Sequence, residues 1–351
     1  MGNEFCGWSE TMKIGVLIAT YNGEKFIKEQ LDSIINQTVR VDEIIISDDG
    51  STDGTLEIVL EYINKYDKIG IKLVNNTVQH GVAYNFENAF RNSTADFLFF
   101  CDQDDVWIEN KVEVFIEAEK KYPKCGLYFS NAELVDKDLN SLGKTVWDSF
   151  YWEGLDKPQY QVLEGEEIVS RINSGNIVTG MCAASRREII ENIFPVLPNM
   201  LHDDMIAAYC AINDSILAIN EVTAFYRQHD NNVVGAFVEN RKKKSFIERF
   251  ICSSQRMKDF CFSYIRCCSL YSYDKKKKYS ILQISYLFFQ EVKKYYLCNK
   301  LVGFWGLLRL YFIGKINKKR KKISLLQLMW FLSITLFVST KKRREYLLNE
   351  V

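Results

Sequence analysis

Along the first 130 residues, short unbroken apolar runs alternate with amphipathic stretches. Lys13–Ala19 (KIGVLIA) predicts a buried strand, Asp42–Ser47 (DEIIIS) and Phe97–Cys101 (FLFFC) predict further strands, Ile71–Asn75 a short one, and Gly126–Ser130 is strand-like. Lys25–Asn36, Thr55–Tyr66, Ala83–Arg91 and Lys111–Lys121 carry a helical spacing of apolar positions between them. Continuous apolar strands alternating with amphipathic helices indicate an α/β fold: a mostly parallel sheet with helices on both faces. In such sheets ligands bind beyond the carboxyl ends of the strands. The loops to inspect therefore follow Ala19, Ser47, Asn75 and Cys101.

The pattern is less regular over 131–240, with a Gly-bounded stretch at Ser174–Ala184 and a helix near Asp203–Ile212. Short strands are expected at Ile216–Ile219 and Thr223–Gln228. Charge then changes the picture. Residues 1–240 hold 19 Lys and Arg against 39 Asp and Glu, whereas 241–351 hold 26 against 6, so a net charge of zero hides a split of −20 and +20. Such asymmetry suggests two jobs in one chain. The expected organisation is a disordered N-terminus at 1–12, a catalytic domain at 13–240 and a basic, mainly helical region at 241–351.

Ten cysteines could suggest a disulfide framework, but their spacing, without a C-x-x-C pair, does not support one in a chain of 351 residues, and reduced thiols in a cytosolic setting fit them better. Met1–Thr11 lack the basic and apolar regions of a secretory signal.

The loops carry the chemistry. The first is Thr20-Tyr21-Asn22-Gly23, the second Asp48-Asp49-Gly50-Ser51-Thr52-Asp53-Gly54, and the third His80-Gly81-Val82-Ala83. Carboxylates at a strand end, such as Asp48 and Asp49, can accept hydrogen bonds from a base or from ribose hydroxyls. The same run is also ordinary turn chemistry feeding a helix. The fourth loop, Asp102-Gln103-Asp104-Asp105, places three carboxylates within four residues. They repel unless solvated or neutralised, and a hard divalent cation that also takes substrate phosphates is the usual neutraliser. The alternative is a solvated acidic loop with Asp104 or Asp105 capping the 111–121 helix. No Walker-type glycine run is present, so phosphate would have to be held by metal. Of the three histidines, His202 opens His-Asp-Asp at 202–204 and His229 ends Tyr-Arg-Gln-His at 226–229, while His80 stands in the third loop.

Residues 13–109 resemble the family 2 glycosyltransferases, which have the GT-A fold. The resemblance rests on VLIATYNGEKFIKEQLDSIINQT, IIISDDGSTDGT and the DQDDVW segment ending at Trp107. TGMCAASRRE at 179–188, HDDMIAAYCA at 202–211 and YRQHDNNVVG at 226–235 extend it, most closely to the rhamnosyltransferase-like branch. The resemblance implies that Thr20, Tyr21, Asn22, Asp48 and Asp49 hold the nucleotide, with Asp102 and Gln103 beside the ribose or sugar. It places Asp104 on Mn²⁺ or Mg²⁺, with Asp102 and His229 as further contacts. It makes Asp203 the catalytic base, with Asp204 open as the alternative because His202 stands where relatives often have Glu. The implied reaction moves one sugar, rhamnose before galactose or another hexose, from a nucleotide diphosphate donor to a glycan or lipid-linked acceptor. A base opposite the leaving group inverts the anomeric centre. A non-catalytic, nucleotide-sugar-binding subunit of a membrane-bound assembly complex is the competing reading.

The basic tail interleaves lysine clusters with aromatic residues. No nucleic-acid motif accompanies them, so the tail points to an anionic membrane surface and a peripheral place at the inner face of the cytoplasmic membrane. Ile323–Thr340 reaches the lower limit of a spanning helix. Its basic flanks at 318–322 and 341–344 favour an interfacial helix instead.

Overall fold

The computed structural model describes residues 12–77, 79–149, 158–174, 177–196 and 200–229. The expected N-terminal segment, the basic region 241–351 and its apolar run Ile323–Thr340 lie outside the described residues. Among the described residues no helix is long and apolar enough to cross a membrane.

The chain divides into two compact units. The first comprises the described residues of Met1–Leu163, Val178–Val196 and Asp214–Ala236. It begins as the hydropathy pattern requires: β1 (Ile14–Thr20), α1 (Ile27–Ile35), β2 (Glu43–Asp48), α2 (Thr55–Lys65), β3 (Gly70–Asn75), α3 (Val82–Arg91) and β4 (Phe97–Asp102). Then come β5 (Val106–Trp107), α4 (Lys111–Lys121), β6 (Leu127–Val135), β7 (Ser141–Thr145), the short α5 (Val146–Ser149) and β8 (Tyr160–Leu163). In the second unit, α6 (Gly165–Ser174) packs on α8 (His202–Asn213). The first unit is completed by β9 (Ala183–Arg186), a single turn α7 (Arg187–Ile190) and β10 (Ile216–Arg227).

Ten strands form one sheet in the order β3-β2-β1-β4-β9-β6-β10-β5, with β7 on β6 and β8 on β10. The pairs β3–β2, β2–β1, β1–β4 and β6–β10 are parallel, and β9 runs antiparallel between β4 and β6. The order reverses at β1: β2 and β3 lie on one side of it and β4 on the other. This is the switch point at which loops diverge to open a ligand crevice.

β1, β2 and β4 are buried almost throughout because helices cover both faces. The helices bury one stripe each, such as Ile27, Leu31 and Ile34 on α1 and Phe86, Ala89 and Phe90 on α3. Phe99 meets Phe97 edge-on at 5.5 Å and also touches Phe115 and Trp107. Each fully buried ring of this kind contributes roughly 1.5–3 kcal/mol, and removing one would cost about 3–5 kcal/mol.

Two sequence expectations are revised. The strands expected at Ile216–Ile219 and Thr223–Gln228 form one strand, β10, whose register on β6 shifts twice between Ile219 and Phe225. The polar interruption at Asn220-Glu221 is absorbed as an irregularity and does not end the strand. The Gly-bounded stretch Ser174–Ala184 leads into β9, which enters the sheet centre by pairing with β4 and β6.

Candidate active site

The crevice at the switch point is built from the loops after β1, β2, β3 and β4. Thr20 ends β1 with its side chain buried, donating Oγ1–H to Asp48 Oδ2 at 2.9 Å. Tyr21 follows, its ring exposed. Gln103 is bound twice to the Tyr21 backbone: Tyr21 N–H donates to Gln103 Oε1 at 2.9 Å, and Gln103 Nε2 donates to Tyr21 O at 3.0 Å. The loops after β1 and β4 are thereby joined. Asn22 adopts φ 50°, a left-handed geometry that Asn tolerates, and its Oδ1 accepts Thr52 N–H at 2.8 Å.

Asp48 and Asp49 have different tasks. The buried Asp48 carboxylate accepts Gly50 N–H at 3.0 Å, Ser51 N–H at 2.8 Å and the Ser51 hydroxyl at 2.6 Å, which is the turn chemistry that the sequence left open. Asp49 faces the third loop. Its Oδ1 accepts Asn76 Nδ2 at 2.9 Å and lies 2.9 Å from His80 Nδ1, while its Oδ2 accepts Gly81 N–H at 2.8 Å. Gly81 adopts φ 126°, which L side chains rarely allow, so glycine is needed to bring that N–H onto Asp49.

The acidic loop divides in the same way. Asp104 Oδ2 lies 2.8 Å from His229 Nε2. Asp105 is fully buried and caps no helix: its Oδ1 accepts Arg227 N–H at 3.0 Å, and its Oδ2 has no hydrogen-bond partner. The N-cap position of α4 belongs to Asn110. Burial and the Asp104 carboxylate raise the pKa of both Asp102 and Asp105. Beneath the loop lies the buried Lys111, whose ammonium donates to Met181 O at 2.6 Å and sits 4.2 Å from the centre of the Trp107 ring. Burial lowers the Lys111 pKa, while Cys182, Cys101, Asp105 and Asp102 pull it back up.

This donor set fits a divalent cation in one particular way. A carboxylate oxygen beside an imidazole nitrogen suits Mn²⁺, whereas Mg²⁺ would rest on the carboxylate oxygens alone. The structure brings Asp104 and His229 together. Among the described residues it assembles no ready three-residue cluster, so Asp102 does not join them as a preformed ligand set. A cation here would need oxygens from a bound diphosphate to complete its shell.

Asp203 and Asp204 stand in the first turn of α8, in the second unit. Asp203 Oδ1 accepts Asp204 N–H at 2.8 Å. Carboxylates suit a helix N-terminus, where backbone N–H groups and the helix dipole favour negative charge. His202 is buried, and burial pulls its pKa down to about 3, so it is neutral at physiological pH. The described cysteines Cys101, Cys125, Cys182 and Cys210 are buried.

Sequence reasoning gave no role to Phe26, Lys111 or Arg227. Lys111 left a trace, because it shares the buried face of α4 with Phe115 and Ala118 at helical spacing. Arg227 and Phe26 both lay inside quoted motifs without a task.

The fold around this switch point, with its acidic loops, is shared with known proteins of the GT-A type. The profile of glycosyl transferase family 2 matches residues 15–194, and the chain belongs to this family of glycosyltransferases. It is 30% identical over 243 residues, 64% of the chain and 76% of the relative, to the dTDP-rhamnosyl transferase RfbG of Shigella flexneri. It is 30% identical over 133 residues, 38% of the chain and 50% of the relative, to WfgD of Escherichia coli, named as a UDP-Glc:alpha-D-GlcNAc-diphosphoundecaprenol beta-1,3-glucosyltransferase. Among solved structures it shares its fold with S. aureus TarS 1-349 in complex with UDP-GlcNAc: TM-score 0.54, 16% identity, 95% of this chain and 84% of that one. The mannosyltransferase PcManGT from Pyrobaculum calidifontis, in complex with GDP-Man and Mn2+, matches with TM-score 0.50 at 16% identity, over 97% of this chain and 88% of that one.

Proposed function

We propose that this glycosyltransferase moves a sugar, rhamnose before galactose or another hexose, from a nucleoside diphosphate donor to a glycan or lipid-linked acceptor with inversion. The carrying observation is the Asp104–His229 pair beside the switch-point loops that hold Asp49 and Gln103. The rhamnose preference is supported by the similarity to RfbG, and the lipid-linked acceptor by the name of WfgD.

In this reading Asp49 receives base or ribose donors, with the exposed Tyr21 ring and the Tyr21–Gln103 bridge shaping the floor of the pocket. Asp104 and His229 would hold Mn²⁺ or Mg²⁺, with Asp102 two residues from Asp104 in the same loop. A divalent cation supplies Lewis-acid stabilisation of the charge that develops on a leaving diphosphate. Asp203, or Asp204 one position on, accepts the proton of the acceptor hydroxyl as it attacks. Attack from the side opposite the leaving group inverts the anomeric centre. The +20 balance of residues 241–351 supports a peripheral place on an anionic cytoplasmic membrane face, where a lipid-linked acceptor would be found.

The decisive experiment incubates the full chain and Mn²⁺ with a panel of dTDP-, UDP- and GDP-sugars and measures nucleoside diphosphate release. Release from dTDP-rhamnose above all others is expected. A preference for a UDP-hexose would overturn the sugar assignment, and release unaffected by EDTA would overturn the metal assignment.

A further inference from the structure

Arg227 is almost fully buried at the end of β10, where an unpaired charge would be costly. Its Nε–H donates to the Asp104 carbonyl at 2.8 Å. Its terminal nitrogens donate to the Lys137 carbonyl and to the Glu29 carboxylate on α1. Its backbone N–H is the donor to Asp105 Oδ1. One side chain therefore ties the acidic loop to the turn after β6 and to the first helix.

The guanidinium also lies over the Phe26 ring, 4.6 Å from its centre. His229 stacks on that same ring at 4.9 Å, with the planes 23° apart. Residues two apart in an extended chain face the same way, and Gln228 N–H continues the pairing to Val135 O at 2.8 Å. Arg227 and His229 thus share one aromatic surface while both contact Asp104.

We propose that Arg227 is the positioning residue of the cation site: it sets the Asp104 loop and the His229 ring in register on Phe26. The proposal rests on the reading of Asp104 and His229 as cation donors and adds what fixes their separation. Only a planar fork of donors serves acceptors from three segments at once, and a lysine ammonium cannot reproduce that geometry. Groups that orient metal ligands without touching the metal typically govern affinity by about 10–100-fold.

The test measures Mn²⁺ binding to the full chain in the presence of dTDP, from the electron paramagnetic resonance signal of free Mn²⁺. Arg227→Lys should stay folded by thermal unfolding yet weaken Mn²⁺ binding by about 10–100-fold. His229→Ala should also weaken it, and the double variant should lose less than the product of the two single losses, because one acts through the other. A folded Arg227→Lys with unchanged Mn²⁺ affinity, or fully multiplicative losses, would overturn the proposal. If Arg227 variants do not fold, Phe26→Leu removes the shared ring surface and should show a loss at the lower end of that range; unchanged affinity there overturns the proposal equally. A wild-type chain that binds no Mn²⁺ overturns the metal reading and this inference together, whereas loss of the Arg227 effect alone leaves that reading standing.

Discussion

The imidazole of His229 lies 2.8 Å from the Asp104 carboxylate, although the two residues are 125 positions apart in the chain. β10 makes this meeting: it pairs with β5, setting Ala224 against Trp107 and Phe225 against Val106, and so returns the chain beside the acidic loop. If this pair holds the cation, Asp104→Asn should weaken Mn²⁺ binding and lower sugar transfer by at least about 100-fold, the scale of a lost charged interaction at a reacting diphosphate. EDTA should abolish turnover of the wild-type chain and added Mn²⁺ should restore it. Full activity of Asp104→Asn in chelator would remove Asp104 from the site.

The base is tested by isosteric replacement. Asp203→Asn should leave donor binding intact and lower turnover by roughly 10²–10⁴-fold, the range for a lost general base. If only Asp204→Asn shows that loss, the base moves one residue along α8. If neither does, the proton is taken elsewhere.

Gly23 and Gln103 form a second testable pair. A Cβ on Gly23 would fall 2.3 Å from Gln103 Oε1, so Gly23→Ala must push the Gln103 side chain off Tyr21. Losing about 1 kcal/mol of hydrogen bonding corresponds to roughly 5-fold weaker donor binding. Gln103→Ala should match that loss, and combining the two should add nothing further. Donor affinity measured by calorimetry decides it, and additive losses would show that Gly23 matters for another reason.

Acid stability should depend on Glu43. Burial alone would raise its pKa, but hydrogen bonds from Lys13, Ser93 and Thr94 outweigh it and hold the carboxyl at about 2, below its ordinary 4.5. A depressed folded-state pKa gives stability that is full above about pH 4.5 and is lost as pH falls toward 2. Glu43→Gln should cost about 2 kcal/mol at neutral pH and flatten the fall in Tm between pH 5 and 2. An unchanged acid profile would assign that fall to other carboxylates.

The basic tail is tested separately by flotation. The full-length chain should float with anionic vesicles and less with neutral ones or in high salt, since each basic residue near the surface contributes about 1 kcal/mol within a Debye length. Replacing the lysines and arginines at 318–322 and 341–344 by glutamine should reduce that binding strongly. Equal flotation of both chains would remove these clusters from any membrane role.

The sequence by itself determined the alternation of β1 to β4 with their helices, because unbroken apolar runs such as FLFFC are stable only as strands covered on both faces. It also singled out the loops after β1, β2, β3 and β4, since ligands of such a sheet bind beyond the strand ends, where Asp49 and Asp104 stand. Tertiary structure alone decided the rest. Local pattern could not reveal that β9 would enter antiparallel between β4 and β6, since its four residues, AASR, lack the apolar signature of a buried strand. Nor could it distinguish Asp48, which is consumed by its own turn, from Asp49, which is held by the next loop. The surface shared by Phe26, Arg227 and His229 depends on α1 and the end of β10 meeting in space, and contacts between residues so distant in the chain leave no periodicity to read.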